Sequence, residues 1–299
     1  MRISTQTLFD SGAARIGDLQ SSLYKTQQQL ATGRRVLTPS DDPVASARAL
    51  EVTQSQSLNT QYGTNRGYAK DSLVAVDSTL SSVTELLQNV KTTAISAGNG
   101  NLSDSERASI ATALQSNLDQ LMGLANTRDA QGNYLFSGFQ TTTPAFAQTA
   151  SGVQYQGDQG QRLIQVDASR QMAVSSQGQA VFQGGGQDMF KTLNDLITQL
   201  NTPGTTGLSA ALATADSNLL LALNNVSSVR SSVGSRLQEL DALDSAGSDK
   251  NLQYSQTLSN LQDLDYTQAL TDLSKQQMTL EAAQKSFVQV SGLSLFKLL

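Results

Sequence analysis

Apolar residues recur at alternating steps of three and four along residues 263–299, with one interruption at Gln276. The stripe consists of Tyr266, Ala269, Leu273, Leu280, Ala283, Phe287 and Val290. Its spacing predicts a helix with a narrow coiled-coil seam, and such a seam needs a partner helix to cover it. Further apolar residues follow the stripe, namely Leu293, Leu295, Phe296, Leu298 and Leu299. We therefore expect a binding partner to cover this part of the chain.

A second stripe of the same kind occupies residues 1–32. It consists of Phe9, Ile16, Leu19, Leu23 and Leu30, with Gly12 and Thr26 at the interrupting positions. Glycine commonly follows the last residue of a helix, so we expect this helix to end at Gly33. The basic pair Arg34-Arg35 then lies where positive charge interacts favourably with a helix end. Since neither seam is complete alone, pairing the two stripes is the simplest way to cover both.

A third helix is predicted to begin at Asp42-Pro43, because an acidic capping residue followed by proline favours a helix start. The apolar residues of its first turns are Val44, Ala47 and Leu50, which share one face. Adjacent carboxylates at Asp41 and Asp42 also raise the hypothesis of a metal or acid–base site. Capping explains them with fewer assumptions, and we favour it.

The most regular periodicity in the chain comes next and predicts that this helix continues to Ala97. Its apolar positions are Ala69, Leu73, Val76, Leu80, Val83, Leu87, Val90 and Ala94. Residues 98–101, Gly-Asn-Gly-Asn, predict a break, and Ser103 with Glu106 predicts a capping box that opens the next helix. Another long helix is predicted from Leu212, Ala215, Leu219, Ala222, Val226, Val229 and Val233, with an interruption at Ala246-Gly247-Ser248.

Between the helical halves the period changes, and residues 136–187 predict a small β-rich insert. The runs 153–156 and 162–166 flank a Gly/Asp turn at residues 157–160, so we expect them to form a hairpin. Residues 172–174 and 180–182 are weaker strand candidates. The charged side chains of this section are Asp158, Arg162, Asp167 and Arg170, which we interpret as solvated hairpin charges.

These patterns predict a mainly α fold: a long antiparallel helical coiled-coil bundle formed by both chain ends, with the β-rich insert in the middle. We expect residues 1–40 and 263–299 to form a terminal coiled-coil segment. Residues 41–135 and 188–262 would form a helical stem, and residues 136–187 an outward-facing insert domain. The three glycines at residues 184–186 mark the end of the insert.

Composition narrows the possible functions. The 299 residues include no Cys, His or Trp, and the formal net charge is -5. The chain therefore lacks disulfides, zinc–thiolate sites and the commonest general base, which argues against an enzyme. Its charges are dispersed rather than clustered, which argues against nucleic-acid binding. No segment has the length of a signal-peptide core or a membrane span, so we expect no membrane insertion. The sequence has no Gly-rich phosphate-binding loop and no cluster of ligand residues, so we expect no cofactor.

Three segments resemble the flagellins and flagellin-like hook-associated proteins of bacteria. Residues 30–50 have the sequence LATGRRVLTPSDDPVASARAL, similar to the N-terminal signature of that superfamily. Residues 132–146, GNYLFSGFQTTTPAF, and the region from residue 264 to residue 299 resemble the members at the hook–filament junction more than flagellin itself. The long middle of the chain is matched by layout rather than by motif.

The resemblance implies an extracellular protein of the bacterial flagellum, exported by the flagellar type III apparatus and located at the hook–filament junction. It implies self-association in a helical layer, in which the terminal helices form an inner tube and the insert faces solvent. The implied partners are the first hook–filament junction protein, flagellin, and a cytoplasmic export chaperone on the C-terminal helix. In the free chain the terminal helices have only each other to pack against, so we expect them to be disordered or loosely paired.

The candidate interface for subunits and chaperone comprises Phe9, Ile16, Leu19, Leu23, Leu30, Tyr266, Leu273, Leu280, Phe287, Val290, Leu295 and Phe296. Three alternatives remain open. The chain could be a flagellin, distinguished by its copy number along the filament. The insert could carry an adhesin or enzyme site, or the chain could be a cytoplasmic coiled-coil scaffold unrelated to flagella.

Overall fold

The computed structural model describes the backbone of residues 2–296 and the side chains of residue 7 and residues 9–291. The described helices are α1 (Arg2–Thr32), α2 (Pro43–Ala97), α3 (Asp104–Ala125), α4 (Gly178–Phe182), α5 (Met189–Asn201), α6 (Leu208–Gln262) and α7 (Tyr266–Phe296). The described strands are β1 (Phe146–Thr149), β2 (Gly152–Tyr155), β3 (Leu163–Asp167) and β4 (Arg170–Ala173). The mainly α fold with a small β region in the middle is therefore confirmed.

Contacts divide the chain into two compact units. The terminal unit comprises Met1–Leu58 and Asp249–Leu299, and the central unit comprises Asn59–Ser248. Helices α2 and α6 contribute residues to both units. None of the described helices combines the length and apolar character needed to cross a membrane.

The helices of the central unit bury the stripes that the periodicity indicated. Every predicted position from Ala69 to Ala94 is buried, as are Ala215, Leu219, Ala222, Val226 and Val233 of α6. Helix α5 likewise buries Met189, Leu193, Leu196 and Leu200. The predicted capping box of α3 is confirmed, since Ser103 and Glu106 form it. At the start of α5 the Asp188 side chain accepts a hydrogen bond from the Lys191 amide. These stripes form one continuous hydrophobic core.

The β region differs from the predicted hairpin. Strand β1 pairs with β2 and strand β3 pairs with β4, both antiparallel, so residues 153–155 and 163–166 lie in two separate sheets. The turn between β2 and β3 is instead folded around Asp158. Its carboxylate Oδ1 accepts hydrogen bonds from the amides of Phe139 (2.9 Å) and Gly160 (2.8 Å). This turn therefore binds the segment before β1 rather than closing a hairpin.

Two other local predictions were wrong. Residues 180–182 form the end of helix α4 rather than a strand, and Phe182 is buried. Helix α6 passes through Gly247 without the expected interruption. A side chain at Gly247 would collide with the buried Arg66 guanidinium, which pairs with Asp244 and donates to the Val166 carbonyl (3.0 Å). The glycine thus makes room for an arginine from α2 and does not end the helix.

An aromatic cluster joins the β region to the helices of the central unit. Phe136, Phe146, Phe182 and Phe190 are all buried, with ring centroids of contacting pairs 4.9–5.9 Å apart. Tyr155 packs against Phe146, and its hydroxyl donates to the Phe136 carbonyl at 2.9 Å. Burial raises the pKa of Tyr155, so the hydroxyl keeps its proton and remains a donor. The cluster gives this region a core that two short sheets could not form alone.

Candidate assembly interface

Helices α1 and α7 pair in antiparallel orientation, as the two incomplete seams predicted. A Cβ atom placed on Gly12 would lie 2.9 Å from the Phe287 ring, and one on Gly33 would lie 2.7 Å from the Tyr266 hydroxyl. These contacts fix the register, which places Leu19 at the level of Leu280. The same register places Gln276 at the level of Leu23. Small or polar residues in one stripe thus lie opposite large apolar residues in the other.

Close packing occurs where an aromatic ring meets the glycine of the opposite stripe. The rings of Phe9 and Phe287 have centroids 4.6 Å apart and a tilt of 57°. Next to them is an open hollow of about 220 Å³, lined by Gly12, Arg15, Ile16, Ala283, Ser286, Phe287 and Val290. An apolar hollow of this kind remains on the surface because two helices cannot enclose a groove that they themselves form.

The pairing leaves the predicted interface residues only partly covered. Ile16, Leu19, Leu23, Leu30, Leu273, Leu280 and Phe287 are half-buried, whereas Phe9, Tyr266 and Val290 are exposed by 44%, 53% and 51%. Leu295 and Phe296 lie outside the residues whose side chains the structure describes. Within the described part of the terminal unit, the buried hydrophobic residues are Ala45, Ala49 and Ala269. The described part of this unit therefore has no core of large side chains.

The candidate interface omitted a second set of apolar residues in the terminal unit. The exposed members are Tyr24, Val44, Leu50, Leu58, Leu252, Leu270, Met278 and Val288. On α2 the predicted face of Val44, Ala47 and Leu50 is exposed, while Ala45 and Ala49 are covered. The sequence does indicate the covered face, because Ala45 and Ala49 are four residues apart and therefore share one side of the helix. Small alanine side chains there allow a neighbouring helix to approach closely.

One polar atom of the seam is buried without a partner. The Gln276 side-chain oxygen Oε1 is shielded from solvent and accepts no hydrogen bond. Leaving such an acceptor unpaired costs about 1–3 kcal/mol relative to a paired or solvated one. Gln276 is also the residue that interrupts the C-terminal stripe. The seam of the isolated chain is thus suboptimal at this position.

The connection between α1 and α2 is fixed by charged side chains. The Arg35 amide donates to the Gln262 carbonyl (2.7 Å), and its guanidinium donates to the Leu261 carbonyl (2.9 Å) and pairs with Asp42 (3.3 Å). The basic pair thus does more than favour a helix end. Arg35 ties the α1–α2 connection to the end of α6.

The two adjacent carboxylates accept hydrogen bonds from backbone amides on opposite sides, Asp42 from the first turn of α2 and Asp41 from the preceding connection. Asp42 Oδ1 accepts from the Ala45 amide at 2.9 Å, and this hydrogen bond is the main reason that its pKa is lowered. The hydrogen bond from Lys25 (2.6 Å), reinforced by the Thr38 amide, lowers the pKa of Asp41 to about 2. Among the residues that the structure describes, no three acidic side chains come together as a metal site. The hydrogen bond from the Ala45 amide confirms capping as the role of Asp42.

Comparison with known proteins gives this architecture a family. The model of the bacterial flagellin N-terminal helical region matches residues 3–141. Flagellar hook-associated protein 3 of Salmonella typhimurium is 37% identical over 317 aligned positions, covering 100% of this chain and 99% of the relative. The flagellin of Listeria monocytogenes is 21% identical, covering 85% of this chain and 83% of its own length.

Solved structures agree with the sequence relatives. A protein of Vibrio parahaemolyticus described as a flagellar hook-associated protein superposes with a TM-score of 0.70. It is 26% identical, and the match covers 75% of this chain and 100% of that one. The 37% identity to the Salmonella relative extends over the full length of this chain. The chain therefore belongs to the flagellar hook-associated protein 3 family.

Proposed function

We propose that the chain is a structural subunit of the bacterial flagellum that joins the hook to the flagellin filament. Family membership supports this role, because the relative named hook-associated protein 3 matches at 37% identity and the flagellin only at 21%. The homologues are flagellar structural proteins, which favours a structural role over catalysis. The rival assignment as a filament subunit is correspondingly weaker.

The mechanism rests on one observation: the terminal unit keeps its large apolar side chains half exposed and buries only alanines among its hydrophobic residues in the described ranges. Packing many copies of α1 and α7 side by side would cover these residues. Burying apolar surface stabilises by roughly 25 cal/mol per Å², so folding of this unit is coupled to assembly. Such coupling suppresses polymerisation where subunits are scarce and favours it at a growing end.

The individual binding partners can be inferred from the same exposed apolar residues of the terminal unit. We infer that neighbouring copies in a helical layer cover the terminal seam in an inner tube, with the first junction protein on one side and flagellin on the other. Before export, a cytoplasmic chaperone would cover the C-terminal helix. The exposed apolar residues of α7, including Leu270, Met278 and Val288, support this proposal. The subunit would then act outside the cell.

Immunogold labelling tests the location. Antibody against residues 136–187 would be applied to detached native flagella. We expect one band at the hook–filament boundary. Label along the whole filament would identify a filament subunit instead. Absence of label on flagella would leave the fold standing and remove the assigned role.

Substitution of Leu280 tests the mechanism. Leu280→Asp places a charge in the half-buried seam, so we expect loss of incorporation into flagella while circular dichroism of the purified chain still shows the central helices. Leu280→Met, which conserves volume, is the matched control and should incorporate normally. Normal incorporation of the Asp variant would refute the role of the seam.

A further inference from the structure

The connection between α2 and α3 is an exposed turn with an unusual chemical composition. Helix α2 ends at Ala97, and the turn is held by hydrogen bonds from the Asn99 amide to the Ser96 carbonyl (3.3 Å) and from the Leu102 amide to the Asn99 carbonyl (3.2 Å). Asn99 and Gly100 are both exposed. Because both are exposed, water reaches them freely. They also form the only Asn-Gly pair in the sequence.

The side chain of Asn99 is turned towards the chain that follows it. Its carbonyl oxygen Oδ1 accepts a hydrogen bond from the amide of Asn101 at 3.2 Å. This bond holds the side-chain carbonyl beside the intervening peptide, whose nitrogen belongs to Gly100. It also withdraws electron density from the amide carbon Cγ, which makes that carbon a better electrophile.

Gly100 is free to react. Within the described residues, its amide nitrogen donates no hydrogen bond. A Cβ atom placed on Gly100 would have no atom within 4 Å, so nothing crowds the residue. Glycine also has the widest conformational freedom, which lets its nitrogen approach the neighbouring side chain at little cost.

We propose that Asn99 is a site of spontaneous deamidation. The Gly100 amide nitrogen loses its proton and attacks Cγ of Asn99. The new C–N bond closes a five-membered succinimide, the Cγ–Nδ2 bond breaks, and the side-chain nitrogen leaves as ammonia with the proton. Water then opens the ring at either carbonyl and leaves aspartate or isoaspartate at position 99. No reactant other than water is needed.

Other asparagines of the chain lack this combination. Asn101 precedes Leu102, whose side chain hinders ring closure. The amide and side chain of Asn133 both donate to Asp129, and both ends of the Asn126 side chain are bonded to Phe146. Modification is therefore selective for position 99.

The products change the turn. A carboxylate at position 99 lies just after the last turn of α2, where the unpaired carbonyls of the helix repel negative charge. Asp104 and Glu106 already place acidic groups in the first turn of α3. Isoaspartate in addition lengthens the main chain by one carbon within the turn, which weakens the hydrogen bond between Leu102 and the residue at position 99. The turn opens as the protein ages.

Peptide mapping by mass spectrometry tests the proposal on the full chain. Purified folded protein would be incubated at neutral and mildly alkaline pH, then denatured and cleaved with trypsin, which releases residues 92–107 as one peptide. Asn99 should convert steadily to a mixture of aspartate and isoaspartate, and faster at the higher pH because the attacking nitrogen must be deprotonated. Asn101 in the same peptide is the internal control and should stay intact.

Two comparisons decide whether the folded turn permits the reaction. Gly100→Ala should slow conversion several-fold, since the methyl group hinders ring closure. A synthetic peptide of residues 92–107 should react no faster than the folded chain. Conversion of Asn99 no faster than Asn101, or reaction of the peptide but not of the folded chain, would overturn the proposal.

Discussion

The terminal and central units have the same helical periodicity, but they differ in how far their apolar side chains are buried. The central unit buries Phe136, Phe146, Phe182 and Phe190 together with its leucine and valine stripes. The described part of the terminal unit buries only Ala45, Ala49 and Ala269 among its hydrophobic residues and leaves its phenylalanines partly exposed. A regular apolar stripe therefore does not by itself distinguish a core from an interface. The distinguishing feature is how many other elements of the same chain cover it.

This difference in burial implies that the central unit is stable in the free chain, whereas the terminal unit is completed by assembly. The central unit covers its stripes with α2, α3, α5, α6 and the β region, so we expect it to fold without partners. In the terminal unit, α1 and α7 cover each other along one side only. Because large apolar residues remain available there, partner binding adds most of the burial that this unit lacks.

The largest expected effect comes from matched phenylalanine deletions in the two units. Phe182→Ala empties a fully buried site, so it should cost about 3–5 kcal/mol of unfolding free energy in the central unit. Phe9→Ala removes a ring that is already 44% exposed, and it should cost the free chain no more than about 1 kcal/mol. Thermal unfolding followed by circular dichroism measures both. Equal losses would abolish the distinction between the units.

A smaller effect, opposite in sign, is expected from Gln276. Gln276→Leu removes the unpaired Oε1 atom from the seam and should stabilise the pairing of α1 with α7 by about 1–3 kcal/mol. Gln277→Leu, one residue further on at an exposed position, is the control and should change stability little. Hydrogen exchange of α7 amides in the free chain measures the gain. A destabilised Gln276→Leu variant would show that the oxygen has a partner after all.

The smallest effect is acid sensitivity of the α1–α2 connection. Because the pKa of Asp41 falls from 3.8 to about 2 on folding, its ionised form stabilises the folded connection. This contribution is complete above the ordinary pKa near 3.8 and is lost as the pH falls towards 2. An NMR titration of the Thr38 amide, which donates to Asp41, should report the low pKa.

Lys25→Met supplies the control for that titration. The hydrogen bond from Lys25 is the largest cause of the lowered pKa, so removing it should move the midpoint up towards 3.8. An unchanged midpoint would assign the shift to the backbone amides instead.

The fold was largely predictable because its elements are long. Stripes repeated over many turns identified α1, α2, α6 and α7, and local capping chemistry at Ser103 located the start of α3. Short elements were predicted less accurately from the sequence. The turn at residues 157–160 has hairpin composition, yet long-range hydrogen bonds from Phe139 to Asp158 decide its role. Gly247 failed as a helix breaker for the same reason, since its role is to admit Arg66.

The candidate interface was predictable in composition and not in extent. The stripes identified residues such as Leu19 and Leu280, which the structure brings to the same level of one seam. They did not reveal exposed apolar residues outside that seam, including Leu50 and Met278. Periodicity reports which residues share a helix face, whereas coverage of that face depends on tertiary contacts far apart in sequence.

Hydrogen–deuterium exchange of the free chain, compared with the same chain in isolated flagella, tests the central claim most directly. We predict that amides in the middle of α2 and α6 are protected in both samples. Amides of α1 and α7 should exchange quickly in the free chain and become protected only in flagella. Equal protection of α1, α7 and the central helices in the free chain would contradict the claim that assembly completes the terminal unit.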